Sequence, residues 1–264
     1  MYRTHFGFTH YPFERALQPD ELFASTAARE AQARLQHLVE LRGIGLITGE
    51  VGSGKTSVCR QLGAALHPGL YRLFYVPLST GNVLDMYKAI SWQLGVAVER
   101  NRAAAYRAIH TEISRLTIEA KINPVLVVDE AHHLRNEVLE DLRLLTNYAM
   151  DAERRLCLLL VGLTELRRRL RMAVHESLTQ RIVVRYHLSG LTREETPAYL
   201  SHRLQLAGCA LPLFEPAAVE ALFQATQGLP RKLNSAAHYA LSAAALAKTK
   251  QVTAEHVQAA LEEL

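Results

Sequence analysis

The apolar positions along the chain follow two regimes. Up to about residue 190, short apolar runs alternate with longer stretches of helical period. The runs at 44–48, 70–76, 124–128, 155–161 and 181–186 predict five strands. The run at 124–128, apolar at every position, predicts a strand buried on both faces of a parallel sheet. Between the strands, helices are predicted over 26–41, 57–66, 83–94, 102–120 and 134–150. This alternation indicates a doubly wound α/β domain with a five-stranded parallel sheet, spanning 26–190. Beyond it only helical period remains. Helices are predicted over 193–207 (capped by Thr192), 216–227 (ended by Gly228), 230–248, and from Thr253 to the C-terminus. These make a small all-α domain, 191–264. Residues 1–25 follow neither regime. Phe6-Gly7-Phe8, Tyr11-Pro12-Phe13 and Leu22-Phe23 show no helical period, which predicts an N-terminal linker segment laid across a surface.

One strand–loop–helix passage carries chemistry. Gly49-Glu50-Val51-Gly52-Ser53-Gly54-Lys55-Thr56 fits the phosphate-binding loop pattern, with a predicted strand before it and a helix from Ser57 after it. The glycines let backbone N–H groups turn inward toward phosphate oxygens. The helix N-terminus adds the positive end of its dipole. Lys55 supplies a point charge for the β/γ-phosphates, and Thr56 a hydroxyl for Mg²⁺. Asp129-Glu130 closes the buried strand 124–128, where a second half of a nucleotide site stands in such sheets. Asp129 suits Mg²⁺, held through water, and Glu130 suits polarisation of an attacking water. Asp129-Glu130-Ala131-His132 also spells a helicase box, but no second helicase motif accompanies it.

Other positions leave two readings open. Thr164 follows the fourth strand and is either a polar sensor of the γ-phosphate or a turn and cap residue. Arg181 is either a finger reaching a neighbouring subunit's nucleotide or a salt-bridged surface arginine. Arg231 follows Gly228-Leu229-Pro230 at a helix start and either contacts a phosphate or is solvated. Two basic clusters (Arg167, Arg168, Arg169, Arg171, Arg181, Arg185, and Arg100, Arg102, Arg107) are solvated faces or tracks for a duplex backbone.

Composition narrows the setting. A net charge of +4 permits nucleic acid or an anionic surface as partner and demands neither. Three widely spaced cysteines (Cys59, Cys157, Cys209) give no disulfide or metal-binding spacing, which points to a reducing, cytoplasmic setting. The longest uncharged apolar run, 156–164, is too short to cross a bilayer, and the N-terminus has no signal pattern, so no membrane partner is expected.

Taken together, the motifs resemble the AAA+ ATPases of the ExeA type, a group related to transposon ATPases of the TnsC, TniB and MuB kind. The marks are Phe6-Gly7-Phe8 with Pro12-Phe13, the Gly49–Thr56 loop, Val127-Val128-Asp129-Glu130-Ala131-His132-His133-Leu134, Leu142-Arg143-Leu144-Leu145-Thr146-Asn147, Gln180-Arg181-Ile182 and Gly228-Leu229-Pro230-Arg231. The resemblance implies an AAA+ core with a helical lid, ATP and Mg²⁺ as cofactors, and hydrolysis to ADP and phosphate. It makes Arg181 the arginine finger and Arg231 the second sensor, and sets Tyr11, Pro12 and Phe13 at the border of the adenine. The family pattern has Gln-Pro where this chain has Leu163-Thr164. Secretion members of the group carry further modules after the lid, whereas this sequence runs to Leu264. That likeness to bare transposon ATPases implies a regulator that forms a ring or helical filament on double-stranded DNA, blind to sequence, and recruits a transposase, with or without a targeting adaptor. The alternatives are a secretion or envelope-assembly ATPase and a nucleotide-gated protein-binding switch without DNA.

Overall fold

All five apolar runs form strands of one parallel sheet: β1 (Ile44–Gly49), β2 (Tyr71–Val76), β3 (Asn123–Val128), β4 (Cys157–Gly162) and β5 (Ile182–Leu188). Their order is β2-β3-β4-β1-β5. The computed structural model describes residues 2–77 and 81–263, so the outermost residues of the expected segments, Met1 and Leu264, lie outside the described residues. Burial follows position in the sheet. β1 and β4 are buried at every residue and β3 at all but Asn123, whereas the edge strands β2 and β5 bury only part of theirs. An interior strand has no solvated face, and this is why these segments read as unbroken apolar runs. Leu126, Val128, Leu158 and Leu160 from the strands pack with Tyr87, Ile90, Ile109, Ile113, Leu139 and Leu142 from the helices. Each such burial contributes about 1.5–3 kcal/mol.

The chain divides into two units. The α/β unit holds Glu30–Gly49 and Lys55–Leu188. The helical unit holds the residues up to Arg29, Glu50–Gly54, and the residues from Ser189 onward.

Within the α/β unit, the helix predicted over 102–120 is α-helical over Arg102–Ser114 and widens into a π-helical turn, Arg115–Glu119. There the Thr117 hydroxyl bonds back to the Ile113 carbonyl, a side-chain competitor for the helix ladder. The helix predicted over 134–150 is shorter. A 3₁₀ turn, Ala131–His133, precedes a helix limited to Asn136–Leu144. The Thr146 hydroxyl caps Arg143 O at 2.7 Å, and Ala149, Met150 and Asp151 then take left-handed backbone in succession. A short helix, Thr164–Arg169, was not predicted, and the helix ahead of the last strand, Glu176–Arg181, runs through Arg181 and so moves the start of β5 past it.

The helical unit is built from helices Glu195–Leu206, Pro216–Thr226, Pro230–Leu246 and Ala254–Glu262 around Leu200, Leu204, Leu222, Leu233, Leu241 and Val257. The sequence predicts a non-helical segment at the N-terminus, laid over a surface. The structure instead shows a helix, Tyr2–Phe6, with Tyr2, Phe8 and Phe13 inside the core of this unit. Arg203 holds the segment in place. Its buried guanidinium donates to Pro12 O at 2.8 Å and Arg15 O at 3.1 Å and lies 5.9 Å over the Phe13 ring.

Candidate nucleotide site

The phosphate loop leaves β1 at Gly49 and enters the helix Lys55–Ala65. Lys55 is buried, and its ammonium donates to Gly49 O at 3.0 Å. Ser53 N–H closes a turn onto Glu50 O at 3.2 Å. Gly52 and Gly54 take φ of 78° and 100°, a backbone that other residues adopt only with strain. At Gly52 there is a second constraint: a Cβ would run into the Arg231 side chain, and Arg231 N–H donates to Gly52 O at 3.2 Å. Pro230 opens this helix, so Arg231 projects from its first turn. The Ser53 hydroxyl is buried with no partner among the described residues. An unpaired buried hydroxyl costs about 1–3 kcal/mol, and a phosphate oxygen is an acceptor that satisfies it. The residues of the loop thus fit a nucleotide's phosphates. Val51 and Thr56 are exposed, and Ser57 is half-buried.

Asp129 follows β3 and is buried, at 3% exposed. Its Oδ2 accepts the Thr56 hydroxyl at 3.0 Å and the Tyr75 hydroxyl at 2.7 Å, while Oδ1 accepts Glu130 N–H at 2.8 Å. The Thr56 hydroxyl and this carboxylate are the pair that would hold Mg²⁺, the first directly and the second through water. Tyr75 is the partner of Asp129 that the sequence did not disclose. It sits on the edge strand β2, opposite Val127 of β3, and burial together with its bond to Asp129 pushes its phenol pKa up. Its one sequence signal is a hydroxyl near the carboxyl end of a strand.

Glu130 has left-handed backbone (φ 53°, ψ 30°) and a half-exposed carboxylate. β4 lies between β3 and β1, so the carboxyl ends carrying Asp129, Leu163 and the phosphate loop follow one another across the sheet. Thr164 opens the helix Thr164–Arg169, and Leu163 N–H lies 3.4 Å from His132 Nδ1. Burial, then the neighbouring His133, lowers the pKa of His132.

The remaining candidates are distributed differently. Arg181 ends the helix Glu176–Arg181, and both guanidinium nitrogens bind Asp151, at 2.8 and 2.6 Å. In the single chain it is therefore the salt-bridged arginine of its second reading. Phe13 is a core residue against Phe214, with ring centroids 6.2 Å apart, and Pro12 is buried. Tyr11 alone of the three keeps an exposed face and packs 5.1 Å from Tyr2. Arg169 is structural, donating to His132 O and Leu134 O, both at 2.7 Å. Arg102 clamps the buried Asp141. Arg100 and Arg107 are exposed. Arg167, Arg168 and Arg171 are exposed and have no carboxylate partner among the described residues. Arg167, Arg171 and Arg185, with Thr48, Tyr186 and His187, line a cavity of about 200 Å³ in the α/β unit.

The family described as AAA domain matches residues 37–170, half of the chain. General secretion pathway protein A of Aeromonas hydrophila is 37% identical over 247 residues, which take in 92% of this chain and 45% of that protein. The chain therefore spans about half the length of the curated relative it matches. Among solved structures, Cdc6p of Pyrobaculum aerophilum superposes with a TM-score of 0.73 at 16% identity, over 96% of this chain and 70% of that one. The Aeropyrum pernix ORC1 protein, solved in complex with DNA, gives a TM-score of 0.69 at 19% identity, over 96% of this chain and 68% of that one. Likenesses at such identities show the fold alone, and that fold is the AAA+ one. With the family matched over half its length, and with a phosphate loop and an Asp129–Glu130 pair in place, the chain belongs to the AAA domain family and is an ATPase that uses ATP with Mg²⁺.

Proposed function

We propose that the chain is the ATP-driven module of a secretion or envelope-assembly system, of the kind represented by general secretion pathway protein A. The observation that carries this reading is the identity of 37% sustained over 92% of the chain, through both units rather than the phosphate loop alone. In this reading the loop N–H groups, Ser53 and Lys55 hold the phosphates, Ser57 lines the start of the helix, and Thr56 with Asp129 holds Mg²⁺. Glu130 orients the attacking water, and Thr164 reports on the γ-phosphate. The helical unit acts as a lid, with Arg231 as second sensor and Tyr11 at the adenine. Arg181 leaves Asp151 to reach the ATP of the next subunit in a ring or filament, so hydrolysis depends on assembly. The chain works on the cytoplasmic side. No described helix is long and apolar enough to cross a membrane.

The test is a Lys55→Ala chain expressed beside the wild-type copy in the native host. Mixed assemblies should block export or envelope assembly, and normal export under full expression of the variant would sink this reading. A second reading, a regulator that coats duplex DNA for a transposase, is favoured by the arginine-lined cavity and by Arg167, Arg168 and Arg171, which are exposed and have no carboxylate partner among the described residues. Tight duplex binding seen only with the triphosphate, and weakening steeply with salt, would favour it over the first.

A further inference from the structure

Glu130, His132 and His133 stand on one tight turn directly after β3. His133 N–H closes onto Glu130 O at 3.0 Å, and Leu134 N–H onto Ala131 O at 3.2 Å. The left-handed backbone at Glu130 brings its Oε2 to 3.5 Å from His132 Nδ1. The two imidazoles lie 4.0 Å apart between centroids, tilted by 39°. One ligand atom from each of the three residues falls within a span of 4.8 Å. The turn is braced from behind. Arg169 holds the carbonyls of His132 and Leu134, both at 2.7 Å. Gly162 lies so close to His132 that a Cβ there would stand 3.2 Å from its backbone nitrogen.

We propose that Glu130, His132 and His133 bind a transition-metal ion of the Zn²⁺ class, apart from the Thr56–Asp129 pair, and that the bound ion takes Glu130 out of hydrolysis. Two imidazole nitrogens and a carboxylate suit Zn²⁺, Co²⁺ or Ni²⁺; Mg²⁺ prefers oxygen ligands alone. Three such ligands with the fourth position left to water is a recurrent Zn²⁺ arrangement. Ligand atoms around tetrahedral Zn²⁺ lie about 3.4 Å apart. The span of 4.8 Å closes to that value by side-chain rotation at Glu130 and His133, which are the two exposed members. A carboxylate bonded to the ion no longer accepts a proton from the attacking water. The inhibitory half of the proposal rests on Glu130 serving that water; the metal site itself does not.

Two measurements separate the halves. The full chain, free of nucleotide and Mg²⁺, is titrated with Co²⁺, followed by its visible absorption, and then competed with Zn²⁺. One ion per chain is expected, with binding weakened at least about tenfold in His133→Ala. No binding by the wild type, or equal binding by His133→Ala, overturns the site whatever the protein's activity. ATP hydrolysis under saturating Mg²⁺ is then followed against Zn²⁺. The wild type should be inhibited and recover on chelation, and His133→Ala should keep its basal turnover and need at least about tenfold more Zn²⁺. A site filled with Zn²⁺ while hydrolysis continues unchanged overturns the inhibitory role.

Discussion

Among the described residues Asp129 is held by three donors, and the donor outside the sequence motifs can be removed by one substitution. Tyr75→Phe deletes a 2.7 Å bond to Oδ2 and leaves the Thr56 hydroxyl and Glu130 N–H in place. A hydrogen bond to a charged group contributes about 1.5–3 kcal/mol. The expected result is a Mg²⁺ requirement for hydrolysis raised about tenfold, at an unchanged maximal rate; an unchanged Mg²⁺ titration would refute the assignment. Glu130→Gln should retain ATP binding and slow single-turnover hydrolysis by a factor of about 10²–10⁴. The placement of Asp129 and Glu130 was legible in the sequence because an acidic pair closes a buried apolar strand. Tyr75 was not, because its partner stands on a neighbouring strand 54 residues away. Two histidines outside the site, His175 buried and His110 half-buried, give a pH signature. Burial first, then Arg155 beside His110 and Arg169 beside His175, lowers both pKa values below 6.5. Such groups bind protons more readily in the unfolded chain, so their contribution to stability is full above about pH 6.5 and is lost as pH falls toward the folded pKa. Thermal melts at pH 7.5 and 5.5 should differ in that direction, and the difference should shrink in His110→Gln.

At the scale of elements, alternation of strands and helices was legible throughout, and errors gathered where side chains end a helix. Nothing in the apolar period distinguishes Thr146, whose hydroxyl bonds back to Arg143 O, or Arg181, which ends a helix instead of starting a strand. The turn at Ala149, Met150 and Asp151 matters most. Three successive non-glycine residues in left-handed backbone are costly, and Met150 at its tip is 98% exposed. Asp151 leaves this turn to hold Arg181. The ion pair is partly exposed and stabilises the fold by no more than about 1 kcal/mol. Asp151→Asn should therefore barely move the melting temperature. It should raise assembly-stimulated hydrolysis if Arg181 acts on a neighbour, whereas Arg181→Ala should abolish the stimulation in mixed-subunit assays.

At the scale of the molecule, the sequence showed an α/β region followed by a helical one. It did not show that the helical unit recruits residues from both ends of the chain. Phe8 and Phe13 have no periodicity of their own to place them, since their partners lie in helices far along the chain. Arg203 links the two parts, and Arg203→Ala would strand the carbonyls of Pro12 and Arg15. A loss of about 1–3 kcal/mol is expected in denaturant titration of the full chain, because Pro12 O would be left buried and unpaired. This discontinuity also sets a timetable during translation. The aromatic segment leaves the ribosome well before the helices that cover it, which begin only after Ser189. At about 5–20 residues per second, Phe6, Phe8 and Phe13 wait roughly 10–40 s for their core. The α/β unit can finish folding in that interval, so the nascent chain carries an uncovered aromatic segment beside an already folded body until the last helices emerge.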